Sequence, residues 1–369
     1  MQTFLIYNSI VIFSFLFALL YEREKRKYTK LCFKIFSFLC MWIPAAIRKG
    51  IGTDYYTYVD YIRQVADGLS IRKTEIGFNA VIKFIVYFHL DTQWFFVITS
   101  FLTVLFLFLS IKKYFSLSIL FYNLLLLDLY SYNIVRQGLA VTIIMYAVSY
   151  LIDGQKFKYV IFVLLAASFH SMSIICLPFV FLCKLNYKVI ITGGIIVLLF
   201  LPSVDIVSLI SKIPVIGDKY GRYFFNNFYG VEQDTSLIGL IARFIPGLLI
   251  ILFSRNILEK EPQYGVIVIM VLAYLCSIIL LSKIFIFYRM VEFFVFSLVF
   301  MMPILFEFIR KSNVFKSTRG TDIFKATVRY AVIIGIIFIT LVSYERYVTR
   351  DQSAIFGSKN VVPYTSIFH

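Results

Sequence analysis

The chain has 369 residues, of which 60% are hydrophobic and 15% are charged, and its mean hydropathy is +0.86. A soluble domain is about 45–50% apolar and about 25% charged, so this composition excludes an ordinary soluble protein and indicates a polytopic membrane protein. The formal net charge of +16 comes mostly from basic residues in short loops between apolar runs. Such residues set the orientation of membrane helices, so the charge does not indicate nucleic-acid binding.

The first apolar run, Thr3–Tyr21, ends in the basic segment YEREKRKYTK. The positive-inside rule places that segment in the cytoplasm and therefore the N-terminus outside. The run has no basic region before it and no clear cleavage site, so we expect a retained helix and not a removed signal peptide. The second run, Leu31–Ile47, returns the chain to the outer face.

The next stretch, Arg48–Gly77, is polar, rich in Tyr and Gly, and nearly balanced in charge. Phe78–Leu90 is apolar but short, which leaves it open between a short span and an interfacial or re-entrant helix. The run Gln93–Ile111 ends at two lysines that favour the cytoplasm. Because that orientation requires the preceding segment to stay on one side, we predict an outer loop over residues 48–92.

Apolar runs continue to the C-terminal tail. They are Ser118–Tyr130, Gln137–Ile152, Tyr159–His170, Ser171–Cys183, Val189–Leu201, Leu237–Phe253, Tyr264–Leu281, Ile284–Phe308 and Ala326–Tyr344. The third and fourth of these predict a helical hairpin with His170 at its outer tip, and residues 202–236 predict a second outer loop. The expected fold is an all-α bundle in one transmembrane domain over residues 1–369, with about 12 spans (about 10 to 14) and both termini outside.

Arg136 and Gln137 stand at the start of an apolar run, four and five residues after the aromatic Tyr132. A guanidinium presents a rigid fork of donors that suits phosphate or carboxylate. At an outer membrane face, a lipid-linked phosphate or diphosphate is the anion that fits, so Arg136 is a candidate diphosphate ligand. Gln137 and Tyr132 are candidate substrate contacts. The alternative for Arg136 is an arginine that extends to the lipid headgroups.

His170 is a candidate general base, because an imidazole exchanges protons near neutral pH. The alternative is a histidine whose hydrogen bonds are satisfied by neighbouring serines. Asp54 and Glu75 are the alternative bases on the predicted outer loop. Each carboxylate also has an ordinary structural reading, as a helix cap or a helix start.

Further candidate side chains are spread along the chain. Arg48, with Asp54 as its ion partner, is a candidate diphosphate ligand, and Tyr55 and Tyr58 are candidate substrate contacts that stack on sugar rings. Two arginines inside apolar runs, Arg243 and Arg289, are further candidate diphosphate ligands. Arg289 has Glu292 on the same helix face, so an internal ion pair is the alternative there.

Several signatures are missing from the sequence. It contains no glycine-rich nucleotide loop, no cluster with metal-ligand spacing and no paired aspartates of the DxD kind. Its five cysteines lie in apolar runs without paired spacing, which predicts neither a disulfide framework nor a metal site. We therefore expect no metal and no cofactor. We also expect that a sugar donor is linked to a lipid and not to a nucleotide.

Six segments of the chain stand out. They are RKGIGTDYYTY (48–58), TEIGF (74–78), YNIVRQGLA (132–140), KFKYVIFVLLAASFHS (156–171), Tyr288-Arg289 and VPYTSIF (362–368). In order and spacing they resemble the EpsG family of bacterial polysaccharide membrane proteins, a branch of the Wzy-type polymerases. One departure is Ile76, where the family often has proline. The resemblance implies a metal-independent glycosyltransferase of the cytoplasmic membrane that joins polyprenyl-diphosphate-linked oligosaccharide repeats on its outer face, making an O-antigen, capsule or exopolysaccharide.

The resemblance maps Arg48, Asp54, Arg136, Gln137 and His170 onto family motif positions. The implied partners are the lipid-linked oligosaccharide, membrane lipid, and the flippase and chain-length regulator of the same pathway. A glycan ligase of that pathway, a flippase or transporter, and a scaffold subunit are the competing functions. The polar residues gather at one predicted face without a visible internal repeat, which argues against a transporter.

Overall fold

The computed structural model describes residues 2–69, 74–182, 186–204, 237–281, 287–311, 322–349 and 360–368. Every regular element in these ranges is a helix, apart from one antiparallel β-bridge between Arg48 and Ser366. The all-α prediction is therefore confirmed for the described residues. Two compact units divide the chain, one formed by residues 1–180 and 341–369 and one by residues 181–340. The prediction of one transmembrane domain over residues 1–369 stays a prediction.

The first unit is built from short and long apolar helices. They are α1 (Gln2–Arg23), α2 (Lys27–Ile47), α3 (Tyr55–Ala66), α4 (Ile76–Tyr87), α5 (Gln93–Ser110), α6 (Phe115–Leu124), α7 (Leu127–Asn133), α8 (Val135–Ile152) and α9 (Lys156–Phe169), followed by a 3₁₀ helix at Ser171–Cys176. Helix α8 packs against α5 and α9 and is the most deeply buried of the candidate spans, because apolar side chains surround it on all sides.

The remaining helices lie wholly or partly in the second unit. They are α10 (Phe179–Leu182), α11 (Tyr187–Phe200), α12 (Leu237–Lys260), α13 (Gly265–Leu281), α14 (Tyr288–Phe294), α15 (Phe296–Lys311) and α16 (Asp322–Thr349). Within the second unit α13 packs against α11, α12, α14 and α15, so it forms the centre of that unit. Most of its side chains are buried.

The described residues contain 6 helices long and apolar enough to span a membrane, or up to 8 if each of two bent helix pairs is one span. This confirms a multi-pass membrane protein, but the expected number of about 12 spans is not confirmed. Ser118–Tyr130 lies in the bent pair α6–α7, whose axes differ by 52°. Phe78–Leu90 corresponds to α4, which has 12 residues and is too short to cross the membrane alone.

Two parts of the predicted organisation concern loops and hairpins. The predicted hairpin tip at His170 coincides with a real break, since its backbone is extended (φ −150°, ψ 110°) between α9 and the 3₁₀ helix. Of the predicted outer loop at 202–236, residues 205–236 lie outside the described residues.

Helix α4 begins at Ile76, the first-turn position at which proline is favoured, so isoleucine there leaves the helix start unchanged.

The C-terminal segment, residues 360–368, lies against the N-terminal helices of the first unit. Ile367 N–H donates to the carbonyl of Ile47 at 3.0 Å, and Lys49 N–H donates to the carbonyl of Thr365 at 3.1 Å. The Tyr7 hydroxyl donates to the Val361 carbonyl. These bonds join the C-terminal segment to α1, to the end of α2 and to the residues that follow it.

Candidate functional site

Arg136 lies in the first turn of α8 and forms an ion pair with Glu75, the residue that precedes α4. Its Nη1 donates to Glu75 Oε2 at 2.8 Å, and the two side chains are 30% and 19% exposed. A helix N-terminus carries partial positive charge, so an arginine there needs an anion nearby. Glu75 supplies that anion in the ligand-free protein, and both side chains are still open to solvent.

Two aromatic residues complete the surroundings of the guanidinium. The ring of Phe78 lies beneath it, with the Arg136 Cζ 5.0 Å from the ring centroid. The Tyr58 hydroxyl is hydrogen-bonded to Arg136. Burial raises the pKa of Tyr58, and its contact with Asp54 raises it further, so the hydroxyl stays protonated at neutral pH. The guanidinium is therefore held by Glu75 and Phe78 at the start of α4 and by Tyr58 on α3.

His170 lies next to the same carboxylate. Its Nδ1 is 3.9 Å from Glu75 Oε1, and that oxygen also accepts a hydrogen bond from Ser171 N–H at 3.3 Å. The break after α9 makes this possible, because the extended backbone at His170 frees the next amide to point at Glu75. Arg136, Glu75, His170, Tyr58 and Phe78 form what we call the Arg136 cluster.

The charge state of Glu75 follows from these contacts. Burial alone raises the pKa of its carboxyl, but hydrogen bonds from backbone N–H groups and the charge of Arg136 outweigh burial and hold the pKa below its usual value. Glu75 is thus an anion at neutral pH and a weak base. The imidazole of His170 is the better candidate to accept a proton in this cluster.

Glycine allows the close approach that assembles the cluster. A Cβ on Gly77 would lie 2.5 Å from the Ser168 Oγ and 2.9 Å from the Ser168 carbonyl oxygen, so no larger residue fits without a backbone shift. This contact brings the start of α4 against the end of α9. Gly138 has the same function between α8 and α7, where a Cβ would lie 2.7 Å from the Ser131 Cβ.

Asp54 is placed beside the cluster by Asn133, the last residue of α7. The Asn133 Oδ1 accepts from Asp54 N–H at 3.1 Å and from Thr53 Oγ1 at 3.0 Å. Gly52, at φ +94°, permits this turn, since a Cβ there would lie 2.9 Å from the Asn133 Cα. The Asp54 carboxylate faces Tyr58 closely enough to influence its pKa.

Arg48 occupies a different environment in the same unit. Its side chain is 1% exposed, and its guanidinium lies between the rings of Phe96 and Tyr132 at 4.9 and 5.0 Å. Its Nη1 donates to the carbonyl of Ala45. The ring of Tyr55 stacks on the ring of Phe96, with the two centroids 4.4 Å apart. In this conformation neither Arg48 nor Tyr132 is accessible to a substrate, and their predicted binding roles stay predictions.

The other predicted ligands are placed as follows. Gln137 is buried at 4% exposure in the first turn of α8. Arg243 on α12 and Arg289 on α14 belong to the second unit. Arg289 Nε donates to the Tyr288 hydroxyl at 3.3 Å, and the Arg243 carbonyl accepts from the Tyr274 hydroxyl at 3.3 Å. Their predicted roles stay predictions.

No group of three or more His, Cys, Asp or Glu side chains with the arrangement of a metal site occurs among the described residues. In the Arg136 cluster the carboxylate of Glu75 instead pairs with a guanidinium and lies beside the imidazole of His170. Such a set of groups suits an anionic ligand, because the arginine and a helix N-terminus attract it and the histidine can take part in proton transfer.

The model of the EpsG family matches residues 31–366, nearly the whole chain. The chain belongs to the EpsG family. This membership indicates a polysaccharide-polymerase-like membrane protein whose substrate is a lipid-linked oligosaccharide. Comparisons of this EpsG-family chain with curated proteins and with solved structures gave no match.

Sequence reasoning missed several residues that build the site. Gly77 and Asn133 were not singled out, although each makes a contact on which the Arg136 cluster depends. Asp128 was also missed, although an aspartate in the apolar segment LLLLDLY is a recognisable signal, since carboxylates are costly inside a membrane. Pairing Glu75 with Arg136 could not be read from the sequence, because 61 residues separate the two.

Proposed function

We propose that the chain polymerises polyprenyl-diphosphate-linked oligosaccharide repeats by metal-independent glycosyl transfer on the outer face of the cytoplasmic membrane. The observation that carries the proposal is the Arg136 cluster, in which a partly exposed arginine, a histidine and a carboxylate meet at the start of a membrane helix. Family membership supplies the substrate class.

Arg136 is proposed to bind the diphosphate of the donor. As the bond between the anomeric carbon and the diphosphate oxygen breaks, the electron pair and the negative charge stay with the leaving diphosphate. A guanidinium fixed by Tyr58 and Phe78 stabilises that charge at little cost in reorganisation. Glu75 holds Arg136 in the absence of substrate, so the diphosphate competes with Glu75 for the guanidinium donors.

His170 is proposed to accept the proton of the acceptor hydroxyl. The hydroxyl oxygen of the next lipid-linked repeat forms a bond to the anomeric carbon, and its proton passes to the imidazole. Glu75, close to Nδ1, stabilises the imidazolium that results. This division of roles favours His170 as the base over Glu75, whose pKa is lowered, and leaves Asp54 as the alternative base.

The experiment is the size ladder of lipid-linked glycan in a deletion strain that carries either the wild-type gene or one variant. With Arg136→Ala or His170→Ala at normal protein amounts, we expect single repeat units to accumulate. Arg63→Ala is the matched control, because Arg63 is a surface arginine with 70% side-chain exposure.

Each competing function has its own outcome in this assay. Normal ladders from both variants would contradict the proposed site. A glycan that accumulates on the cytoplasmic side would indicate a transporter, and polymer of normal length that is not attached to its final acceptor would indicate a ligase. A scaffold role predicts that no single polar residue of the cluster is essential.

A further inference from the structure

A second buried charge lies in the first unit, away from the residues assigned to glycosyl transfer. Asp128, in the first turn of α7, is 2% exposed and Arg48 is 1% exposed; the ring of Tyr132, one turn after Asp128 on the same helix, has its centroid 5.0 Å from the Arg48 Cζ. Within the part of the chain that the structure describes, Asp128 Oδ2 and Arg48 Nε have no hydrogen-bond partner. A buried charge is expensive unless an opposite charge compensates it, so each of these two residues depends on the other.

Aromatic residues enclose the two charges. Tyr132 covers one face of the Arg48 guanidinium, and Tyr7 packs against Tyr132 with ring centroids 6.3 Å apart. Tyr7 in turn contacts Tyr364 of the C-terminal segment at 5.7 Å. We call Arg48, Asp128, Tyr132, Tyr7 and Phe96 the Arg48 cluster. It joins residues from α1, α5 and α7 and lies next to the C-terminal segment.

The Arg48 cluster connects directly to the parts that hold the Arg136 cluster. Tyr132 is followed by Asn133, which fixes the turn at Asp54, and two residues later α8 begins with Arg136 in its first turn. On the other side, Arg48 itself forms the β-bridge to Ser366. The Arg48 cluster is thus joined through the backbone to the turn at Asp54, to the start of α8 and to the C-terminal segment.

We infer that Arg48 and Asp128 form a buried charge pair that positions Asn133, Arg136 and the C-terminal segment, and that Arg48 does not bind the substrate. The inference rests on the proposed function for its effect on catalysis. Both residues are positioning residues in this account. Charge compensation, and not the presence of a guanidinium, is the property of Arg48 that matters.

The test compares Asp128→Asn, Arg48→Met and the double variant Arg48→Met/Asp128→Asn in purified protein. Removing one partner leaves an uncompensated buried charge, whereas removing both leaves none. Two properties are measured: hydrogen exchange of peptides covering residues 48–54 and 360–368, and polymerisation rates at several concentrations of lipid-linked donor. The matched control is Asp60→Asn, an exposed aspartate on α3.

In each single variant we expect exchange in both peptides to accelerate about tenfold or more, because the Lys49, Gly52 and Ile367 amides bond between these segments. We also expect the apparent KM for the donor to rise about tenfold, and the double variant to recover both properties to within about threefold of the wild type. The control should match the wild type.

Three results would overturn the inference. One is unchanged exchange in Asp128→Asn. Another is a double variant that exchanges like the wild type but stays as inactive as Arg48→Met, because Arg48 would then act on the substrate. The third is a double variant that exchanges as fast as the single variants. A wild-type protein without polymerase activity would contradict the proposed function, and the exchange measurement would still decide on the pair.

Discussion

The Arg136 and Arg48 clusters place the same type of side chain in opposite environments within one compact unit. Arg136 is 30% exposed and pairs with a carboxylate that also lies beside a histidine, whereas Arg48 is 1% exposed and lies between two aromatic rings. In the proposed function an incoming anion displaces Glu75, the partner of Arg136, because Glu75 is 19% exposed. Asp128, the partner inferred for Arg48, is 2% exposed and is not open to such an exchange.

On these two proposals, the accessibility of the compensating anion separates a binding arginine from a structural one. Both arginines have their charge compensated and both contact aromatic rings. An arginine whose anion can leave is ready to bind phosphate, whereas an arginine with a permanent anion contributes only to the architecture. Substitutions at the two clusters should therefore have different signatures, and the following predictions use that contrast.

The largest effect is expected for Arg136→Ala, which should lower the polymerisation rate per folded molecule about 10²–10³-fold, because it removes the donors to the leaving diphosphate. The rate of Arg136→Lys should lie between those of the wild type and Arg136→Ala, since lysine keeps the charge but loses the planar fork of donors. Both are measured with purified protein and lipid-linked repeats. A rate unchanged by Arg136→Ala would remove the distinction between the two clusters.

His170→Asn should lower the rate about 10²–10⁴-fold, because asparagine cannot accept the proton of the acceptor hydroxyl. Donor binding should be nearly unchanged, so the loss should appear in kcat and not in KM. The control is His89→Asn, since His89 is exposed and has φ +50°, a conformation that asparagine tolerates. If the two variants behaved alike, His170 would not be the base.

Gly77→Ala should lower the rate about tenfold, because the new methyl group moves the start of α4 and with it Glu75. Adding Ser168→Gly relieves the contact with Oγ but not the one with the carbonyl oxygen, so the rescue should be partial. Gly193→Ala is the control, because a Cβ at that helical glycine meets nothing within 4 Å. Full activity of Gly77→Ala would show that the tight α4–α9 contact is unimportant.

Glu75→Gln gives the smallest effect, a pH-dependent change in thermal stability. The pKa of Glu75 is lowered in the folded protein, so the stability that its charge contributes is present above the unfolded pKa of about 4.3 and is lost as the pH falls through the lower folded value. The melting temperature of the wild type should exceed that of Glu75→Gln at pH 7, and the difference should shrink below about pH 4.

The control for this series is Glu259→Gln, which affects an exposed pair with Arg255 and should leave melting unchanged at every pH. A difference between the wild type and Glu75→Gln that grows as the pH falls would mean that the carboxylate is not held in its charged form. The pKa of Glu75 would then not be lowered in the folded protein.

The membrane class, most of the long helices and the helix break at His170 could be predicted from the sequence. These features depend on local composition: apolar runs of span length, basic loops, and a polar SFHS segment between apolar runs. The expected number of about 12 spans is not confirmed, because apolar runs such as Tyr159–His170 form helices of only 14 residues and the described residues contain 6, or up to 8, helices of span length.

The roles of the two arginines could not be separated from the sequence. Both follow or begin apolar runs and both lie in segments that resemble family motifs. Arg48 is buried by Tyr132 and by the β-bridge to Ser366, a residue more than 300 positions away in the chain. Burial of this kind depends on tertiary contacts, which local pattern does not contain.

The most direct test of the central claim is the affinity of purified protein in lipid nanodiscs for polyprenyl diphosphate. The comparison needs the wild type, Arg136→Ala, and the double variant Arg48→Met/Asp128→Asn. The account predicts that Arg136→Ala weakens binding at least about tenfold, since a charge-assisted contact is lost, whereas the double variant stays within about threefold of the wild type. Wild-type affinity in Arg136→Ala, or a loss confined to the double variant, would contradict it.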